Sequence, residues 1–117
     1  MTKIKDFRDL VVWNKGMEVV KDIYRASRQF PKDELYGLSS QMRRSAVSVP
    51  ANIAEGFNRK HNKEYKQFLY VALGSCAELE THVEVASGLG YLSSKEDLLC
   101  KIQHESRMLT SLISKIK

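Results

Sequence analysis

From Leu10 to Tyr24 apolar residues return every three or four positions, at Leu10, Trp13, Met17, Val20 and Tyr24, while Glu18, Lys21, Asp22 and Arg25 take the opposite side. A helical period gathers such positions on one face, so the segment predicts an amphipathic helix. Val12, Val19 and Ile23 widen its apolar face. Gly16 reads as an internal weak point, costing about 1 kcal/mol relative to alanine. Phe30-Pro31 ends the helix, because the residue before a proline avoids helical geometry.

A second pattern runs from Leu35 to Glu55, where Leu35, Leu38, Met42, Val49 and Ile53 fall within a stripe about 40° wide at 100° per residue. Val47, Ala51 and Ala54 cluster roughly 130° away, giving this helix a separate face of small apolar side chains. A lone bundle leaves that face in water, so it is expected at a contact between copies of the chain. Pro50 is expected to bend the helix or loosen a turn, and Gly56 to close it in the left-handed conformation.

The third pattern begins at Asn62 as N-cap, with Glu64 in the first turn, and repeats Tyr65, Phe68, Leu69, Ala72, Cys76, Leu79, Val83 and Ala86 on one side. Gly88 and Gly90 mark a turn. Ser93 and Ser94, with Glu96 and Asp97 each three residues on, predict capping boxes for a fourth helix, whose stripe is Leu98, Ile102, Leu109, Leu112, Ile113 and Ile116. Trp13, Leu38, Phe68, Leu79, Ile102 and Leu109 are expected to be largely buried. Four helices joined by short loops predict an all-α fold, a single domain over residues 1–117, arranged as an up-down-up-down antiparallel four-helix bundle.

Hydrophobic residues at 43% and charged residues at 28% are ordinary globular values and exclude a disordered chain. Cys76 and Cys100 have no metal-ligand or redox spacing, and both read as small core residues in a reducing compartment. The stretch Met1 to Arg8 is charged and no apolar run reaches the ~18 residues of a membrane span, so a soluble, cytoplasmic protein without a membrane partner is expected.

Net charge is +5, distributed unevenly. Residues 1–34 hold 8 basic and 6 acidic residues, 35–75 hold 6 and 2, 76–100 hold 1 and 5, and 101–117 hold 4 and 1. The strongest positive excess precedes the strongest negative one, which fits an anionic partner or self-association. Arg59, Lys60, His61, Lys63 and Lys66, with Tyr65 and Phe68 interleaved, form the densest basic segment. Together with Arg43, its cations Arg59, Lys60, Lys63 and Lys66 are the candidate phosphate contacts. A solvated loop is the competing reading, and the two aromatics fit the core stripe.

Gln41, Arg44, Ser48, Asn52 and Glu55 recur at three- and four-residue steps as a polar stripe on the second helix. A hydrogen-bonded ladder between helices or subunits is favoured there over a recognition surface. His61, His82 and His104 lack metal-pair spacing, and His82 reads as a solvated group beside Glu78 and Glu80. No metal, cofactor or enzyme activity is expected: no phosphate-cradling glycine loop and no nucleophile–base pair is present.

The block DELYGLSSQMRRSAVSVPANIAEG at residues 33–56 carries a more specific signal. With Trp13, Ile23-Tyr24, Phe30-Pro31, Gly74-Ser75, Glu78-Leu79-Glu80 and Gly90-Tyr91-Leu92, it resembles the bacterial four-helix-bundle proteins encoded by intervening sequences in large-subunit ribosomal RNA genes. Gly16 stands where alanine is more usual in that family, and Asn62 where serine is frequent. The resemblance implies a ring-like homopentamer without established catalytic activity. It also implies kinship with the accessory variability protein of diversity-generating retroelements, a basic pentameric barrel associated with a reverse transcriptase and nucleic acid. The expected function is therefore nucleic-acid binding by an oligomeric bundle, RNA before DNA, alone or with a protein partner; the alternative is a pure protein-interaction scaffold.

Overall fold

The structure, a computed structural model, describes residues 4–117; the first three residues of the charged N-terminal stretch lie outside the described residues. The described residues form four α-helices and no strand: α1 Val11–Ser27, α2 Leu38–Phe57, α3 Asn62–Gly88 and α4 Glu96–Lys115, with short 3-10 turns at Phe7–Asp9 and Lys32–Glu34. α2 packs on α1 and α3, α3 on α4, and α4 back on α1. One core results, inside an elongated body of 47 × 24 × 19 Å.

Side-chain bulk misplaces the core face of α1. The buried residues are Val12, Gly16, Val19, Ile23 and Ser27, whereas Trp13, Met17 and Val20 are half-buried and Tyr24 is exposed. Gly16 is the reason. A Cβ there would lie 2.9 Å from Glu105 Oε2 and 3.6 Å from Pro50 Cβ, so α2 and α4 both approach α1 where it has no side chain. This glycine is a close-contact position rather than a weak point.

On α2, Met42, Val49 and Ile53 are buried together with Ser39, Ser45, Ala46, Pro50 and Gly56. Leu35 is not part of the helix: it follows the Lys32–Glu34 turn and is 49% exposed. The helix continues unbroken through Pro50, which is buried against α1. Gly56 does not close the helix either. It lies within α2, and among the described residues only Gly90 has a positive φ. A Cβ on Gly56 would come within 2.7 Å of Phe68 Cβ and 3.1 Å of the Tyr65 carbonyl oxygen, so its bare backbone lets α3 come close.

The stripe of α3 is buried at Leu69, Ala72, Cys76, Leu79, Val83 and Ala86, with Tyr65 and Phe68 half-buried. Its cap is His61, without a side-chain bond, and Asn62 is the first helical residue. The capping boxes before α4 do not form: Lys95 occupies the cap, and Ser94 Oγ donates to Glu96 Oε2 at 2.8 Å. Leu79, Ile102 and Leu109 are buried as expected, while Trp13, Leu38 and Phe68 are only half-buried at the margin. Cys76 is in the core, where burial pushes its thiol up to about 11; Cys100 is exposed.

Glu105 occupies the α4 core stripe between Ile102 and Leu109 and is 1% exposed. Neither carboxylate oxygen has a hydrogen-bond partner among the described residues. Burial, reinforced by the like charge of Glu18 on α1, raises its pKa to about 8, so the folded chain holds it neutral at pH 7.

The unfolded chain releases this proton near the ordinary glutamate value of about 4.3. Between that value and about 8 the native state holds more protons, so the Glu105 contribution falls as pH rises, by at most about 1.4 kcal/mol per pH unit. Urea unfolding between pH 5 and 9 is expected to show this decline in the natural protein and its loss in Glu105→Gln. Equal pH slopes would contradict a buried neutral carboxyl.

The glycines give a second, opposed pair of predictions. Gly56→Ala forces a Cβ onto Phe68 and is expected to cost about 1–3 kcal/mol in the same assay. Gly74→Ala, with nothing within 4 Å of the added carbon, is expected to gain about 0.5–1 kcal/mol from helix propensity.

Candidate nucleic-acid interface

Small side chains bring α2 and α3 close enough for a polar seam. Ser45 Oγ donates to the Met42 carbonyl at 3.0 Å and lies 3.0 Å from His82 Nδ1. A hydroxyl that donates to the carbonyl accepts from the imidazole, which selects the Nδ1–H tautomer. His82 is thus half-buried and partnered rather than solvated. Further along, Ser48 Oγ meets Ser75 Oγ at 2.8 Å, and Asn52 Nδ2 donates to the Ser48 carbonyl at 2.8 Å and its hydroxyl at 2.9 Å.

The polar stripe of α2 is therefore divided. Ser48 and Asn52 belong to the seam, while Gln41, Arg44 and Glu55 are exposed. Ser45 was legible as a buried position, since it steps by three from Met42 and by four to Val49. Its imidazole partner on α3 is set by tertiary packing.

The basic segment entering α3 is divided too. Arg59 pairs with Glu55 at 3.5 Å and Glu64 at 3.9 Å, and its guanidinium lies 4.6 Å from the Phe68 ring centroid. Lys60 and Lys63 are exposed and Lys66 half-buried, and none of the three forms an ion pair among the described residues. Tyr65 packs edge-on to Phe57 at 6.0 Å, and burial raises its hydroxyl pKa. Phe68 lies beneath Arg59, so both aromatics of this segment are half-buried and engaged within the chain.

Arg43 belongs to a different surface, roughly 20 Å back along the axis of α2 at 1.5 Å per residue. Its Nε donates to Ser27 Oγ at 2.8 Å and its guanidinium carbon lies 4.8 Å from the Tyr24 ring centroid. Arg43 and Arg44 line an open cleft of about 500 Å³ with Tyr24, Leu35, Tyr36 and Val47. Neither arginine forms an ion pair among the described residues. By contrast, the cleft of about 360 Å³ lined by Asp22, Arg25, Asp97 and Lys101 is self-neutralised, since Asp22 takes Arg25 at 2.9 Å and Lys101 at 2.7 Å. Tyr36 escaped the periodic reading because it lies off the apolar stripe of the second pattern, and the structure places it in the turn before α2.

Of the small apolar face, Val47 is 42% exposed, Ala51 is exposed and Ala54 half-buried. Among the described residues no group of three or more histidine, cysteine, aspartate or glutamate side chains is placed to hold a metal ion. No helix there is long and apolar enough to cross a membrane.

The bundle is similar to the crystal structure of a protein of unknown function from the S23 ribosomal protein family of Bacteroides thetaiotaomicron. That likeness has a TM-score of 0.79 at 24% identity, over 88% of this chain and 98% of the other, and concerns the fold. No curated protein matches the chain. The family model for 23S rRNA-intervening sequence proteins matches residues 8–111, continuously from the turn before α1 to the last turns of α4. The chain belongs to the 23S rRNA-intervening sequence protein family.

Proposed function

We propose that the protein is a non-enzymatic, homo-oligomeric bundle that binds nucleic acid, structured RNA before DNA, through the basic surface of α2 and the start of α3. The carrying observation is a set of unpaired cations. Arg43, Arg44, Lys60, Lys63 and Lys66 have no carboxylate partner among the described residues; of the acids in the negative stretch, Glu84 is paired with Lys95 at 2.8 Å and Glu80 accepts from the Gln103 amide at 3.2 Å. Such unpaired cations attract an external polyanion. The kinship with a nucleic-acid-associated accessory protein, implied by the sequence resemblance, favours the same reading and leaves room for a protein partner.

The up-down-up-down arrangement is supported by the order of cross-helix contacts. Ser45 meets His82 while Ser48 meets Ser75, and Asp22 meets Lys101 while Gly16 meets Glu105, so numbering rises on one helix as it falls on its neighbour. Assembly, as a pentameric ring by the resemblance, is supported by the outward Val47–Ala51–Ala54 strip. A ring would repeat the cationic surface and raise its potential.

Light scattering at micromolar concentration is expected to give an oligomeric mass. Ala51→Glu is expected to lower that mass without loss of helical circular dichroism; a natural protein that runs as a monomer would contradict the assembly.

For binding, fluorescence anisotropy with labelled RNA duplex between 50 and 200 mM salt is the test. With about four phosphates neutralised, affinity is expected to fall roughly a hundredfold over that range. Lys60→Glu with Lys63→Glu is expected to weaken binding to all sequences alike and flatten the salt slope. No binding to RNA or DNA at low salt would leave the protein-scaffold alternative.

A further inference from the structure

We propose that the cleft between Tyr24, Tyr36, Arg43 and Arg44 is a pocket for an unpaired nucleotide, in which a base stacks on tyrosine and the adjoining phosphate meets the two arginines. The inference rests on the nucleic-acid reading above and narrows its ligand from a polyanion to a single-stranded segment.

Two features make this a built site. Tyr36 is 94% exposed, yet its turn is held from several sides. Glu34 accepts the Leu38 N–H at 3.2 Å and the Tyr91 hydroxyl at 2.9 Å, and the Gly37 N–H closes onto the Glu34 carbonyl at 3.0 Å. The turn thus presents a large aromatic face to water on a braced backbone. Arg43 is pre-positioned in the same way, held by Ser27 Oγ on one side and the Tyr24 ring on the other. Its terminal nitrogens have no hydrogen-bond partner and form no ion pair among the described residues.

The mixture of groups selects the ligand class. Lysines alone, as at Lys60 and Lys63, hold phosphates of any strand. Aromatic faces beside guanidinium groups add stacking, which every unpaired base accepts and a duplex interior withholds. An acidic peptide would satisfy the arginines but leave the Tyr36 ring unused. Val47 places the cleft at the margin of the small-residue strip on α2, so the two surfaces adjoin and the test separates them.

The experiment compares a fluorescein-labelled, unstructured RNA 12-mer with a duplex of the same sequence, binding each to the full chain at low salt. Tyr36→Ala is expected to weaken single-strand binding at least about fivefold with the duplex within about twofold, and Tyr36→Phe to stay within about twofold on both. Arg43→Ala is expected to weaken the single strand more than the duplex, whereas Lys60→Ala with Lys63→Ala weakens both alike. Circular dichroism and light scattering on each variant establish fold and mass. Equal losses on both RNAs, or an unchanged single-strand affinity for Tyr36→Ala, overturn the pocket while leaving general binding intact. A fall in mass with unchanged RNA affinity overturns it in favour of a subunit contact. If the natural protein binds neither RNA, the nucleic-acid reading fails and the pocket with it.

Discussion

The arrangement of this bundle depends on how closely α2 approaches its neighbours. Gly16 admits Pro50 and Glu105 on the α1 side, and Gly56 admits Phe68 and the Tyr65 backbone on the α3 side. N-terminal to both points Ser45, Ala46 and Ser48 keep α2 slender, and its contacts with α3 there include hydroxyl to hydroxyl and hydroxyl to imidazole. Dispersion attraction and short hydrogen bonds both need that approach, and one added methyl group at either glycine disturbs it. Glu105 is the cost of the arrangement, a carboxyl kept neutral because the space left by Gly16 contains no donor for it.

The same geometry decides what faces outward. With Ser45, Ala46 and Gly56 of α2 turned inward, Arg44, Val47 and Ala51 are left exposed and Arg43 half-buried. Glu84 on α3 is paired with Lys95 and Asp22 on α1 with Lys101, whereas these arginines and the lysines at the start of α3 have no carboxylate partner among the described residues. Unpaired positive charge thus lies along α2 and the start of α3, and two tyrosines stand beside part of it.

Periodicity identifies all four helices and most of the α3 and α4 cores, because there the large apolar residues are also the buried ones. It misses the phase of α1 by one position, since Trp13 and Met17 outweigh Gly16 in any count of hydrophobicity while the glycine sets the contact. Gly56 and the serines before α4 show the same limit. Local rules assign turn and cap roles that neighbouring elements override, in one case by the pressure of Phe68 and in the other by a Ser94–Glu96 bond. Glu105 lay on the α4 stripe at steps of three and four from Ile102 and Leu109, a legible signal that its charge obscures. At the candidate interface the cations were legible from composition. That Arg59 is tied down, that Arg43 stands apart from the lysines, and that Tyr36 completes its cleft depend on tertiary distances that no spacing encodes.

The central functional claim is that unpaired cations and the tyrosines beside them receive an unpaired segment of RNA. Amide chemical-shift mapping of the nitrogen-15-labelled protein, titrated with the unstructured 12-mer at low salt, tests it most directly. The account predicts perturbations concentrated at Tyr24, Tyr36, Arg43, Arg44 and Val47, with a second set at Lys60 and Lys63. Perturbations centred instead on the self-neutralised cleft of Asp22 and Lys101, or none at saturating RNA, would contradict it.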